Sequence, residues 1–239
     1  MTHLNNTVLI AIQARSTSTR LPRKHHEIIE NKRLLDHVID ACLSARDYVN
    51  RQKREEVARV VLLVPTGDAI KDDFSRVPIF EGSEQDVLSR YTKACDHYKA
   101  SHVVRITGDC PLIRPFVISK AINLGLRAGY DYLSNVDERC RTAPDGQDVE
   151  FMTARLLNEL NQTASTAYHR EHVTTYAREN PPRWAKRGFI IDHFDYSNGE
   201  KISVDTEEDL ERVRRVYSDI AKKTEKACIV YPKHCIHRL

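Results

Sequence analysis

Strand-like and helix-like stretches alternate along the first half of the chain, and this alternation constrains the fold more than any other feature. Thr7 to Ile12 is a short β-branched, apolar run that reads as a buried strand. Leu34, Leu35, Val38, Ile39 and Leu43 then recur at helical spacing, which predicts a helix from about Arg33 to Arg46. Val57 to Val64 is a second strand, closed by Pro65. A short helix over Ala69–Phe74 and a brief strand at Pro78–Phe80 follow. Val87, Leu88, Tyr91, Ala94 and Tyr98 mark a helix from about Glu84 to Lys99. Val103 to Ile106 is a strand, and Pro115 to Ala128 a helix whose proline sits where a missing N–H costs nothing. Such alternation calls for an α/β fold with a mostly parallel sheet covered on both faces.

After Tyr132 the pattern breaks. The stretch from Ser134 to Glu150 is polar and irregular. Helical patterns return near Thr153–Asn161 and Arg170–Glu179, with a strand near Gly188–Ile191 between them and the end. Ile202 to Thr206 reads as a last strand, followed by a helix from Glu207 to about Ala221 with Thr206 as its N-cap and Asp209 three residues later. The charged, apolar-poor stretch Asp47–Glu56 reads as a solvated connection. With 239 residues and 41% hydrophobic content the chain can bury one substantial core. We therefore expect one domain over residues 1–239, with 134–195 as an acceptor-binding or dimerisation insertion.

The charge balance narrows the function. Lys and Arg total 37 against 34 Asp and Glu, a net charge of only +3, which excludes nucleic-acid binding by overall charge. No apolar run approaches the ~18 residues of a membrane span, and the N-terminus lacks the pattern of a signal peptide, so a cytoplasmic location is expected. The six cysteines contain no Cys-x-x-Cys and read as free thiols.

Several loops carry chemistry. Arg15, Arg20, Arg23 and Lys24 cluster after the first strand, interleaved with Ser16, Thr17, Ser18 and Thr19. Hydroxyls, backbone N–H groups and fixed cations there suit a polyphosphate, or simply make a solvated basic loop. No Walker A pattern is present. Asp109 follows a strand and Gly108 and precedes Pro111, so it is either a turn former or a carboxylate for a divalent cation. Asp205 precedes a helix, where acids also favour the helix start. Ser83 reads as the cap of the helix that follows it. No His/Cys grouping has zinc spacing, and no Gly-x-Ser-x-Gly motif suggests acyl transfer.

Ile12-Gln13-Ala14-Arg15 through Ser18-Thr19-Arg20-Leu21-Pro22-Arg23-Lys24 resembles the opening motif of the cytidylyltransferases that make CMP-activated acidic sugars, most closely the spore coat polysaccharide biosynthesis protein F-like branch. Further matching blocks follow in order: Phe80–Tyr91, Val104–Ile113, Gly146–Glu150, Arg170–Thr174 and Ser203–Leu210. One position departs, since the family usually has Gly where this chain has Arg23; that residue could add a phosphate contact or perturb the loop.

The resemblance implies a Rossmann-like nucleotide-diphospho-sugar transferase fold and a Mg²⁺-dependent, homodimeric cytidylyltransferase. In that reading CTP binds along Ala11, Gln13, Ala14, Arg15, Ser18, Arg20 and Lys24, with Pro65, Thr66, Ser83, Asp86, Thr107 and Gly108 completing its pocket. Arg15, Lys24 and Asp109 act in catalysis, and Asp109 and Asp205 hold the metal. Arg105, Arg141, Gln147, Asp148, Glu150, His169, Arg170 and His172 would face a small anionic acceptor: a sugar acid, phosphate or phosphonate. Two alternatives remain: a sugar-1-phosphate nucleotidyltransferase using another NTP, and an inactive nucleotide-binding scaffold subunit.

Overall fold

The computed structural model describes residues 7–137, 141–191 and 199–230. The expected alternation is realised as β1 (Val8–Gln13), a 3₁₀ turn at Lys24–His26, the β2 (Ile28–Ile29) and β3 (Lys32–Arg33) hairpin, α1 (Leu34–Lys53), β4 (Ala58–Pro65), α2 (Ile70–Asp73), β5 (Ile79–Gly82), α3 (Val87–His97), β6 (His102–Thr107) and α4 (Pro115–Ala128). The second half adds β7 (Tyr132–Ser134), β8 (Glu150–Thr153), α5 (Ala154–Thr163), α6 (Ala167–His172), α7 (Thr175–Glu179), β9 (Arg187–Phe189) and α8 (Glu207–Val230).

Among the described residues seven strands form one sheet in the order β5-β4-β1-β6-β8-β7-β9. β4 and β6 both pair in parallel with β1, β5 pairs in parallel with β4, and β8 alone runs against its neighbours. Period-two alternation splits β1 between the two faces. Val8, Ile10 and Ile12 pack with α1 and α4, while Leu9 and Ala11 pack with α3 and α5. β1 is therefore apolar on both sides, as a central strand of a covered parallel sheet must be. A third cluster seats α8 against the hairpin through Leu21, Ile29, Leu34, Leu210 and Val213.

Four local expectations are corrected. α1 continues through the charged stretch to Lys53, because Val49 is buried and the Asn50 side chain bonds Val57 N and both backbone groups of Ala58. The helix expected over Arg170–Glu179 is two helices, broken at Val173, whose φ of +56° accompanies a bond from Thr174 N to His172 O. Ile202–Thr206 joins no ladder and bends at Ser203, Asp205 and Thr206. Asp86, not Ser83, caps α3: Asp86 Oδ1 accepts from Ser89 N at 2.9 Å, and Ser83 Oγ accepts from Asp86 N at 3.0 Å. Among the described residues no helix is long and apolar enough to cross a membrane. Cys42, Cys95 and Cys110 are free and buried.

Candidate active site

The strand order reverses between β1 and β6, where open α/β sheets bind ligands beyond the strands' carboxyl ends. Gln13 and Thr107 are register partners at those ends, and Gly108 N donates to Gln13 O at 2.9 Å. A Cβ on Gly108 would lie 3.0 Å from Gln13 O and 3.1 Å from both Ala14 Cβ and His25 Nε2. A side chain there would push these neighbours back by a few tenths of an ångström, so glycine lets the turn carrying Asp109 lie directly against the β1 loop.

Lys24 is the hub of the loop after β1. Its Nζ donates to Asp109 Oδ2 at 3.1 Å, Asp205 Oδ1 at 3.2 Å and Val204 O at 3.0 Å. Arg20 adds a contact to Asp205 Oδ1 at 3.2 Å. Arg23, just before the 3₁₀ turn, takes the left-handed conformation at φ 57° and ψ 27°, which a glycine adopts freely. Burial pushes the Asp109 carboxyl up, but the Lys24 charge, hydrogen bonds from Thr107 and Lys24, and His25 outweigh it and hold Asp109 at about 2. His25 is 3% exposed, and burial together with Lys24 brings it down to about 4, a neutral imidazole beside the charges.

Asp205 reaches this point through a long-range arrangement. Val204 N donates to Asp109 O at 2.9 Å, tying the two carboxylate-bearing segments together. Thr206 caps α8 as expected, with Asp209 N donating to Thr206 Oγ1 at 3.2 Å. Asp209 itself is buried; its Oδ2 accepts from Asp205 N at 3.0 Å and Lys201 Nζ at 2.9 Å, and its Oδ1 from Arg212 at 2.6 Å. It supports the Asp205 backbone, a role its capping-box spacing could have signalled.

The other expected nucleotide residues gather around the ends of β1, β4, β5 and β6. Ala11 and Ala14 are buried and offer backbone only; Ala11 O and Gln13 Oε1 lie 3.4 and 3.3 Å from Tyr91 OH. Arg15 is exposed and 4.0 Å from Glu171. Ser18 Oγ accepts from Leu21 N at 3.3 Å, shaping the loop. Pro65 is buried, and Thr66 N and Oγ1 both donate to Gly82 O, pinning the ends of β4 and β5 together. Thr107 Oγ1 is 3.1 Å from Cys110 Sγ.

The expected acceptor residues divide into separate groups. Glu150 is 1% exposed and contacts Arg105 at 2.7 Å, Tyr132 OH at 2.5 Å and Arg178 at 3.3 Å. Gln147, also 1% exposed, bonds Leu112 O and Arg114. Burial and these partners place Glu150, Arg105 and Gln147 in the frame behind the site rather than on its surface. Arg141 meets both oxygens of Asp148, at 2.8 and 3.0 Å, and burial raises Asp148 to about 6 against that pairing. Arg170 bridges Asp86 at 2.7 Å and the end of α5, so these two hold α6 to α3. Both ring nitrogens of His169 are engaged, at 2.8 Å to Thr166 Oγ1 and 2.8 Å to Glu179. His172 is exposed, its ring tilted at 56° against that of Tyr168 with centroids 4.6 Å apart.

Comparison with known proteins agrees with this fold. A family model described as Cytidylyltransferase matches residues 9–233. Spore coat polysaccharide biosynthesis protein SpsF of Bacillus subtilis is 28% identical over 92% of this chain and 90% of its own. The structure of a cytidylyltransferase from Leptospira borgpetersenii superposes with a TM-score of 0.75 at 28% identity, covering 97% of this chain and 99% of that one. CMP:2-keto-3-deoxy-manno-octonic acid synthetase, solved with CTP, shares the fold at a TM-score of 0.64 and 14% identity, over 90% of this chain and 99% of its own. A Rossmann-like α/β sheet with a basic loop and two carboxylates at its switch point, matched over nearly its whole length, belongs to the cytidylyltransferase family of CTP-dependent nucleotidyltransferases.

Proposed function

We propose that the chain transfers CMP from CTP to a small anionic acceptor (a sugar acid, phosphate or phosphonate) with release of pyrophosphate, in a Mg²⁺-dependent reaction. The observation that carries this is Lys24 held between Asp109 and Asp205 at the β1–β6 switch point. An acceptor oxygen attacks the α-phosphorus, the bond to the β-phosphate oxygen breaks, and its electron pair leaves on pyrophosphate. Lys24, Arg15 and Arg20 neutralise the triphosphate and the charge growing on the leaving group. A phosphate or phosphonate oxygen needs no base, whereas a sugar hydroxyl does.

The donor set suits a hard divalent cation. Asp109 is held ionised, and Asp205 presents a second carboxylate to the same point, already bridged by one cation. Among the described residues no three His, Cys, Asp or Glu side chains could hold a metal by themselves. Mg²⁺ is typically held by one or two carboxylates plus substrate phosphates, so Asp109 and Asp205 would hold it with CTP. When bound, the ion supplies charge neutralisation to phosphate oxygens.

The acceptor would lie toward Arg141 and Asp148, whose charge is felt at Cys110 beside Asp109. Residues 134–195 form this acceptor side and a dimer contact in the same reading. The test is pyrophosphate release with each of four NTPs against a panel of sugar acids, phosphates and phosphonates, with products identified by mass spectrometry. A CMP-linked product from one acceptor class is expected. CTP binding without turnover on the whole panel would favour a binding subunit, and turnover with another NTP alone would overturn the cytidylyl reading.

A further inference from the structure

Arg90 lies outside every role assigned above. It is 2% exposed, yet its Nε and Nη1 have no hydrogen-bond partner. A buried donor without a partner costs free energy, and a buried charge costs more, so such a group calls for an explanation. Its stem crosses Gly82, where a Cβ would come within 2.9 Å of Arg90 Cγ. The charged groups facing it are Arg15 after β1, Asp68 after β4 and Glu84 after β5, with the neutral Tyr91 phenol beside it. The guanidinium therefore sits under the carboxyl ends of three neighbouring parallel strands, on the far side of β1 from Lys24.

Among the described residues neither carboxylate hydrogen-bonds Arg90 Nε or Nη1. Asp68 accepts from Ser16 N at 2.8 Å and Ile70 N at 2.9 Å, and Glu84 accepts from Thr17 Oγ1 at 2.8 Å. Both instead hold the β1 loop. The Thr17–Glu84 bond is exposed and draws that loop onto the turn after β5. Beside Arg90 the Arg15 cation is opposed by two carboxylates, Asp68 and Glu84, so a phosphate gains little there, and it already has Arg15, Arg20 and Lys24 in the open loop. A neutral group with two adjacent acceptors meets no such repulsion, and a guanidinium offers paired, parallel N–H donors.

We propose that Arg90 is the base-reading residue: its paired N–H groups donate to O2 and N3 of cytosine, which enters by parting the Thr17–Glu84 contact. This rests on the CTP reading above. Uracil presents a donor at N3 in place of an acceptor, so one bond is lost and two donors oppose each other. A bidentate guanidinium contact of this kind discriminates by about 10- to 100-fold.

The experiment is calorimetric binding of CTP, UTP and 3-deaza-CTP, which lacks the N3 acceptor, to the wild type, Arg90→Gln and Arg90→Lys in the presence of Mg²⁺. The wild type should bind CTP at least ~10-fold more tightly than either analogue. Arg90→Gln should lose about 10- to 100-fold for CTP while UTP and 3-deaza-CTP change little, so that the preference collapses. Arg90→Lys keeps the charge and loses the fork, and should behave like Arg90→Gln. If either variant keeps the wild-type ratio of CTP to UTP, or loses all three ligands equally, the inference is overturned and the CTP reading stands. If Arg90→Gln does not fold, the wild type decides: indifference to the N3 atom overturns the proposal. A wild type that binds no CTP overturns both readings.

Discussion

Lys24 and Asp109, 85 positions apart in the chain, meet with Nζ 3.1 Å from Oδ2 at the ends of adjacent strands. The pair is mostly shielded, Lys24 being 12% exposed and Asp109 26%. Shielding makes the lysine's charge count for more than a surface ion pair would. It also keeps the carboxylate ionised where phosphates are to arrive.

Lys24→Ala should lower kcat by about 10²-fold or more and change CTP affinity less. The lysine meets charge that grows on pyrophosphate, so its effect is largest in the transition state. Losing it also removes a main influence holding Asp109 down, so the acid limb of the turnover profile should move to higher pH. Steady-state kinetics from pH 5 to 8 tests both; normal kcat with raised KM would show that Lys24 binds ground-state phosphate only.

Asp109→Asn and Asp205→Asn should each reduce Mg²⁺-supported turnover by at least ~10²-fold, with non-additive effects in the double mutant. Asn fits turns and helix starts but lacks the negative charge that a hard cation prefers. Loss of the Asp109–Lys24 attraction should cost about 1–2 kcal/mol, a fall in melting temperature of several degrees with the fold retained. Wild-type Mg²⁺ dependence in Asp205→Asn would return that residue to the helix-start role alone.

The sheet's parallel half was legible as apolar runs, and the basic loop and Asp109 as polar stretches directly after two of them; that Lys24 reaches Asp109 was not, because 85 positions separate them. β7, β8 and the β2–β3 hairpin were not, being two to four residues long with no period to detect. The break at Val173 puts a β-branched residue at positive φ, which no local preference signals. Glu150 and Gln147 look exposed in a polar stretch, but their burial is set by strands and loops far away in sequence. Arg90 lies in a helical pattern beside Tyr91, and nothing in that pattern sets it apart; only the packed structure shows it buried.

Arg23→Gly should stabilise the chain by about 0.5 kcal/mol, a rise of roughly 1–2 °C in melting temperature. The left-handed backbone penalises a Cβ by about 1–2 kcal/mol, and glycine's greater unfolded-state freedom offsets part of the gain. Arg23→Val should destabilise, since branching at Cβ worsens the same clash. If Arg23 also touches phosphate, Arg23→Gly raises KM for CTP despite the higher stability. Unchanged KM would leave the arginine only a conformational role.

His25 and Asp148 impose opposed pH slopes on stability. His25 is lowered from 6.5 to about 4 by burial and Lys24, so the stability it contributes is fully present above 6.5 and is lost as pH falls toward 4. Asp148 is raised from 3.8 to about 6 by burial, with Asp145 and Glu150 adding and Arg141 opposing. Its contribution has the other sign: present below 3.8, lost as pH rises through 6. Each shift corresponds to about 3 kcal/mol at most, less for Asp148, which is 25% exposed. Between pH 4 and 6 the two therefore oppose each other, while Asp109, held at about 2, titrates below this window. His25→Gln should unmask a rise in stability as pH falls from 6.5 to 4, and Asp148→Asn a fall over the same range. Urea unfolding at pH 7, 5.5 and 4.5 measures both. Should the two variants follow the wild-type profile, neither group would be titrating as its surroundings dictate; slopes of opposite sign establish that a neutral imidazole and a protonatable carboxyl balance each other around Asp109.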